Sequence, residues 1–327
     1  MTLNNAEAHS VPRMEKPAIV ALAEKDLPEA ARIIRVAFGT FLGAPDPENF
    51  WTDRDYAFGR FPASHVASFG AKLDGKLVGS NFAINWGSVG FFGPLSVRPD
   101  LQERGIAQAL LARTMEEFGA WGSRHVGLFT FAQSPKHVAL YQKFGFYPRF
   151  LTAIMSAPVR AATMPTGGTR FSALTGAQQQ EALRLCRELT ETIYPGLDVT
   201  GEIRAAQTQN LGDTVLVEGK NGLAAFAVCQ YGPRAEAGAD MCFVKFGAVR
   251  EGSSAQRDFL HLLDACDAFA AEVGMPKVLA GMNMARHEAY RLLIGRGFRT
   301  EIQGVAMHRD NDPGYNRPGV YLIDDWR

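Results

Sequence analysis

The sequence predicts an α/β (α+β) protein made of two domains that share one architecture. Three observations carry this reading. At 327 residues the chain exceeds one ordinary domain. A spacer, Pro158 to Gly168, holds two prolines, two adjacent glycines and several small residues. Strand and helix signals run in one order before that spacer and recur in the same order after it, with Phe144-Gly145-Phe146 and Arg296-Gly297-Phe298 marking the same point in each half.

The elements of the first half follow from local chemistry. Ala18–Leu22 is a short apolar strand, and Asp26 is placed to cap a helix carrying Ile33, Ile34, Ala37 and Phe38 on one face. A Pro/Asp-rich loop over 44–48 leads to an aromatic stretch, Phe50 to Phe61, expected as a second helix or a flap. Asp74-Gly75 separates two strand-like runs, 65–73 and 76–85, and Gly tolerates the positive φ of a tight hairpin. A third strand is expected over 88–97, a helix over 104–121, a strand over 125–131, a helix over 134–144 and a closing strand over 146–157.

After the spacer, 171–174 is strand-like and Thr175 opens a long helix to Tyr194. Strands at 213–218 and 223–230 flank Lys220-Asn221-Gly222 as a second hairpin. A strand over 241–249, a helix over 253–272, a strand over 276–282, a helix over 285–296 and a strand over 298–308 complete the copy. The expected division is a leader at 1–16, a first domain at 17–157, a linker at 158–169, a second domain at 170–310 and a tail at 311–327.

Bulk properties narrow the function. Formal net charge is zero and no Lys/Arg run forms a phosphate-backbone footprint, so neither nucleic acid nor an anionic membrane is an expected partner. The polar N-terminus lacks the apolar core of a signal peptide, and no stretch has bilayer-spanning length; a cytoplasmic location is expected. Cys186, Cys229, Cys242 and Cys266 form no CxxC pair, so no metal is expected.

The chemistry concentrates in Leu95-Ser96-Val97-Arg98-Pro99-Asp100-Leu101-Gln102-Glu103-Arg104-Gly105-Ile106-Ala107. It reads as a strand end, a loop and a helix start. Unpaired N–H groups and the helix dipole make such a start an anion site. Gly105 lacks the Cβ that would hold a phosphate off the backbone, Ala107 keeps the next approach close, and Arg104 can add a charge-assisted bond. The plainer alternative is an ordinary helix capped by Asp100.

Gln102-x-x-Gly105-x-Ala107 resembles the (Gln/Arg)-x-x-Gly-x-(Gly/Ala) pyrophosphate loop of the GNAT (GCN5-related N-acetyltransferase) acyltransferases. Ser134-x-x-His137-x-x-Leu140-Tyr141-Gln142-Lys143-Phe144-Gly145-Phe146 is similar to a second motif of that family, with Ser134 and His137 in place of its usual Asn and Ala. The resemblance implies two GNAT-like domains, each a mixed, mostly antiparallel sheet flanked by helices. It implies that Leu95, Ser96 and Val97 hold the pantetheine arm of acetyl-CoA, with the Val97 N–H as oxyanion donor. It also implies that Glu103, Arg104, Gly105, Ile106, Ala107 and Gln108, with Gln102, hold the pyrophosphate. Ser134 falls among the cofactor contacts, and Tyr141 on the position that protonates the departing thiolate. A phenol suits that task because it stays protonated at neutral pH.

The second half lacks these features. Val249-Arg250-Glu251-Gly252-Ser253-Ser254-Ala255 stands where the loop would be, and Leu293 stands where Tyr141 would be. A degenerate GNAT-like domain that supports the first and walls the acceptor pocket is expected. The general base is unassigned among Asp46, Glu48, Asp53, Asp55 and His65, each read as a surface residue. The tail, ending Tyr321-Leu322-Ile323-Asp324-Asp325-Trp326-Arg327, is expected to dock on the body, with Asp324 or Asp325 reaching the acceptor site. The function expected is direct acetyl or short-acyl transfer to a small-molecule amine or amino acid by a monomer or homodimer. A non-catalytic acyl-CoA sensor and a protein N-acetyltransferase are the alternatives.

Overall fold

The computed structural model describes residues 16–160, 163–220 and 222–327. The expected leader lies outside them except for Lys16, as do Ala161, Ala162 and Asn221. The first half runs β1 (Ala18–Ala21), α1 (Leu27–Phe41), α2 (Ala57–Arg60), β2 (Val66–Leu73), β3 (Lys76–Trp86), β4 (Val89–Phe92), β5 (Ser96–Val97), α3 (Ile106–Trp121), β6 (His125–Thr130), α4 (Pro135–Gln142) and β7 (Phe146–Pro158). The second runs β8 (Gly168–Arg170), α5 (Gly176–Ile193), α6 (Thr200–Thr208), β9 (Gly212–Gly219), β10 (Gly222–Tyr231), β11 (Met241–Val249), α7 (Ala255–Glu272), β12 (Lys277–Asn283), α8 (His287–Gly295) and β13 (Arg299–Arg309), and the tail adds β14 (Leu322–Ile323).

All these strands belong to one mixed sheet of order β1-β2-β3-β4-β6-β13-β7-β12-β11-β10-β9-β8, mostly antiparallel, with β4·β6 and β11·β12 parallel. The closing strands are exchanged. β7 pairs along Thr152–Pro158 with β12 of the second half, while β13 pairs along Val305–His308 with β6 of the first. The two closing strands then pair with each other, Ile154 opposite Ile302. Each half's sheet is therefore completed by the other half, and no cut at the spacer divides it.

Helices cover both faces. On one face, Ile33 and Ile34 of α1, Leu183 and Leu189 of α5 and Ile203 of α6 share a continuous core with Phe82, Trp86, Phe226 and Phe246, so one hydrophobic cluster spans both halves. On the other face, α3 and α4 pack over the first half and α7 and α8 over the second, in separate clusters. Asp26 precedes α1 but does not cap it; its carboxylate takes Lys72 Nζ at 2.9 Å and the Ala23 N–H. Thr175 and Gln178 form the capping box that starts α5.

Both parallel pairs separate after a few residues. β4 and β6 are paired from Val89/His125 to Phe91/Gly127, and β11 and β12 from Met241/Lys277 to Val244/Ala280. The tail enters the second opening: Gly247 and Ala248 pair with Ile323 and Leu322, and the Asp324 N–H donates to Gly281 O at 3.1 Å. The chain then reaches the apex of the first opening, where the Trp326 ring lies over Gly127 and its Nε1 donates to Tyr315 Oη at 2.7 Å.

Two measurements test this docking. A Cβ on Gly127 would come within 2.2 Å of the Trp326 ring, so Gly127→Ala is expected to lower stability in urea by about 1–3 kcal/mol. His308 and His125 stack beside Trp326, near Asp312, Arg149 and Asp324. Burial, then the neighbouring His125, holds His308 at about 3. The folded protein therefore declines a proton that the unfolded chain takes up below about pH 6.5, and stability falls with pH through that window. Between pH 6.5 and 4 the wild-type chain should lose roughly 3 kcal/mol that His308→Gln does not lose, read from urea melts at each pH.

Candidate active site

Beyond Phe92 the chain leaves β4 through Gly93–Pro94–Leu95 and re-pairs with β3 as β5, so the strand expected over 88–97 is broken in two. Ser96 stands opposite Ser80 and Val97 opposite Gly79, while the Arg98 N–H donates to Val78 O at 2.9 Å. Hydrogen-bonded pairs alternate along an antiparallel ladder, so Arg98 and Ser96 spend their main-chain groups on β3. Val97 and Leu95 turn theirs the other way, toward the side from which β6 has departed. A cavity of about 790 Å³ lies there, within the range of small-ligand sites.

One end of the cavity is the start of α3. Gly105 precedes the helix with φ +78°, no side chain caps it, and the first helical main-chain bond is Ala109 N–H to Gly105 O. The N–H groups of Ile106, Ala107 and Gln108 thus lack helical partners. Glu103 also has positive φ, at 64°. Left-handed residues at 103 and 105 turn successive N–H groups into a concave, anion-accepting surface. A Cβ on Gly105 would meet nothing within 4 Å, so backbone conformation, and access for a ligand, rather than internal crowding selects glycine here. Asp100, the alternative cap, is instead paired with Arg98 at 2.7 Å.

The sequence-expected residues Leu95, Ser96, Val97, Gln102, Glu103, Gly105, Ile106, Ala107, Gln108 and Tyr141 all line the cavity. Arg104 is exposed and outside the lining. Ser134 is buried at the start of α4 and also outside it. Tyr141 is buried, burial pushes its phenol pKa up, and among the described residues none accepts a hydrogen bond from its hydroxyl. It is a protonated donor facing a cavity.

Sequence reasoning missed several lining groups. Lys136 lies against the pyrophosphate-type loop, donating to Gln102 Oε1 at 2.7 Å, and stands where Arg104 was expected to act. His137, one turn before Tyr141, is held neutral by burial and then by Lys136. Ile154 and Ile302 arrive on the exchanged strands, and Trp326 and Arg327 on the tail. The expectation for Asp324 and Asp325 is corrected. Asp324 is consumed by Arg286 at 2.7 Å and by the Tyr315 hydroxyl, Asp325 pairs with Arg327, and neither lines the cavity.

The candidate bases are likewise outside the lining. His65 is not a surface residue: it is buried against Glu202 at 3.2 Å, and Glu202 also accepts from Trp86 Nε1 at 3.0 Å. Asp55, pushed up by burial, accepts from the Phe58 N–H at 2.9 Å. A buried charge cluster holds the strand break in place. Arg60 donates through Nε and Nη2 to both Glu236 oxygens at 2.7 Å, through Nη1 to Gly93 O, and through Nη2 to Arg327 O at 2.5 Å; Lys245 adds a contact to Glu236 at 2.8 Å. Against the push of burial, Arg60 and Lys245 hold Glu236 at about 2.

Residues 31–146 match the model of the Acetyltransferase (GNAT) family. That segment is a GNAT domain. It carries the whole loop, the strand break and Tyr141, and an acyl-CoA-dependent acetyltransferase is its general class. The full chain has the fold of a putative acetyltransferase from Pyrococcus horikoshii, at 14% identity and TM-score 0.64, covering 98% of this chain and 99% of that one. It also resembles a GCN5-related N-acetyltransferase from Sphaerobacter thermophilus (16% identity, TM-score 0.57, 93% and 98% covered). A tandem GNAT protein from the clavulanic acid biosynthesis pathway is similar as well (14%, TM-score 0.54, 91% and 100% covered). No curated protein matches the sequence significantly.

The GNAT domain's groups fit a CoA-type ligand: uncapped N–H groups at one end, inward-turned amides of Leu95 and Val97 along the wall, and open space over Gly105. In the second half the equivalent opening is filled by β14, and Glu251 and Asp258 place carboxylates near the start of α7. Glu236→Gln is expected to cost about 3–5 kcal/mol in urea, because Arg60 and Lys245 would remain buried without their anion.

Proposed function

We infer that the chain is an acetyl-CoA-dependent N-acyltransferase that transfers an acetyl or short acyl group directly to the amine of a small molecule or amino acid. One observation carries the reading: the Val97 amide, turned away from β3, shares a cavity with the protonated Tyr141 hydroxyl and the uncapped start of α3. An acyl-CoA supplies an activated thioester. The N–H groups of Glu103 to Gln108 hold its pyrophosphate, with Lys136 adding charge, and the main-chain groups of Leu95 and Val97 align the arm. The Val97 N–H stabilises negative charge on the thioester oxygen, and Tyr141 gives its proton to sulfur as the C–S bond breaks.

Aromatic walls (Phe38, Trp51, Tyr56 and Phe131) favour a small acceptor that enters a cavity over a protein surface. Tyr141→Phe is expected to lower kcat about 10²-fold or more while leaving CoA affinity within about twofold, read by free-thiol release and calorimetry. Gly105→Val, which forces a branched side chain to φ near +78°, should weaken CoA binding at least about tenfold. Normal CoA binding by that variant would overturn the reading.

A further inference from the structure

The charged side chains lining the cavity are Arg54, Lys136, Lys143 and Arg327, with Glu103 the carboxylate among them. Lys136 and Glu103 lie together at the loop before α3. Arg54 and Arg327 belong elsewhere. Arg327 follows Trp326 and lies close to Gly93, where the strand breaks, and Arg54 comes from the aromatic segment between α1 and α2. Arg54 stacks over Trp51 at 5.1 Å and Arg327 over Phe243 at 4.1 Å.

Both guanidinium groups are oriented from one edge. Arg54 Nε donates to Asp53 at 3.2 Å, and Arg327 Nε lies 3.2 Å from Asp325. Neither carboxylate lines the cavity. Among the described residues, no group accepts a hydrogen bond from Arg327 Nε or Nη2, both buried, and the Arg54 hydrogen bonds to Asp53 use Nε and Nη2 and leave Nη1. A guanidinium has five N–H donors in a planar fork that matches a carboxylate, so an arginine backed along one edge still has donors for a second anion. Arg54 lies over Trp51, whose ring is 6.3 Å from that of Tyr56, and Arg60, 5.3 Å over Tyr56, donates to Arg327 O, so both arginines belong to one part of the cavity. Glu236, the other buried anion nearby, is already shared by Arg60 and Lys245.

We propose that the acceptor carries a carboxylate bound by Arg327 with help from Arg54, so that the cavity takes amino carboxylates with an apolar or aromatic body. The amine part rests on the acyl-transfer reading above; recognition of the carboxylate stands on the arginines alone. Lys136 and Lys143 are not needed for it. Ile154, Ile302 and Trp326, together with the aromatic segment, supply surface for the body of the acceptor.

The test is calorimetry on the full chain saturated with CoA, using 3-phenylpropionate and, as its neutral counterpart, 3-phenylpropanamide. The carboxylate should bind at least about tenfold more tightly than the amide, the range of one charge-assisted hydrogen bond. Arg327→Gln and Arg54→Gln should each remove most of that preference and leave CoA affinity unchanged; Arg327→Gln, which leaves the buried Asp325 without its cation, also lowers the melting temperature, so binding is read well below it. Arg327→Lys should restore part of the preference. Failure of the carboxylate to bind, equal binding of the amide, or a preference that survives both Gln substitutions would overturn the proposal. Thiol release with phenylalanine and phenethylamine is read in parallel. If the arginine-dependent preference holds but no acceptor releases thiol, acyl transfer is refuted and the carboxylate site stands. If phenethylamine reacts as well as phenylalanine, transfer stands and the carboxylate site is refuted.

Discussion

A parallel strand pair that separates partway leaves main-chain N–H and C=O groups facing a gap, and buried groups of that kind require partners. The described residues contain two such gaps, and the chain resolves them differently. In the second, Gly247, Ala248 and Gly281 bond to the tail at Leu322, Ile323 and Asp324, so the protein closes its own opening. In the first, the break at Gly93–Leu95 turns the Leu95 and Val97 groups toward a cavity instead. One segment, Leu322–Arg327, thereby separates the roles of the halves: it fills the opening of one and supplies wall to the other.

This division depends on the halves being held in register. The exchanged strands provide that through the ladder of β7 and β13, and the cluster of Arg60, Glu236 and Lys245 provides it through charge. A buried ion pair contributes little net stability compared with a well-packed apolar substitute, because desolvation offsets most of its attraction. Its distinctive effect here is positional. The guanidinium of Arg60 is fully engaged by Glu236 from the second half, Gly93 from the strand break and Arg327 from the tail. The strand break that exposes the Val97 amide is fixed by residues distant in sequence.

How far the sequence could be read follows from the same geometry. The Gln102–Ala107 loop, the hairpin at Asp74-Gly75 and the helix bearing Tyr141 are local patterns, each set by a few neighbouring residues. Strand exchange is not local. The runs 146–157 and 298–308 have matching character, so each satisfies either half's edge equally well on pattern alone. Arg60 in a four-residue helix, Arg327 in the tail and the burial of His65 against Glu202 have no periodic signature; they acquire meaning only when strands distant in sequence meet. The break at Gly93–Pro94 interrupts an apolar run that reads as one strand. The role expected of Arg104 as a cation by the loop is taken up by Lys136 because α4, not α3, presents a side chain there.

The charge arrangement also bears on the unassigned base. An amine must lose its proton before attacking a carbonyl, and a site can supply a carboxylate to remove it or an environment that disfavours the ammonium form. Among the described residues lining the cavity the one carboxylate side chain is Glu103, which lies with Lys136 by the loop before α3. An ammonium beside Arg54 and Arg327 meets like charge and partial desolvation, and both lower its pKa. If the acceptor's own carboxylate is held by a guanidinium, it no longer stabilises the adjacent ammonium as it does in water. The same arginines that orient the acceptor thus also favour the neutral amine, and direct transfer then needs no carboxylate beside them.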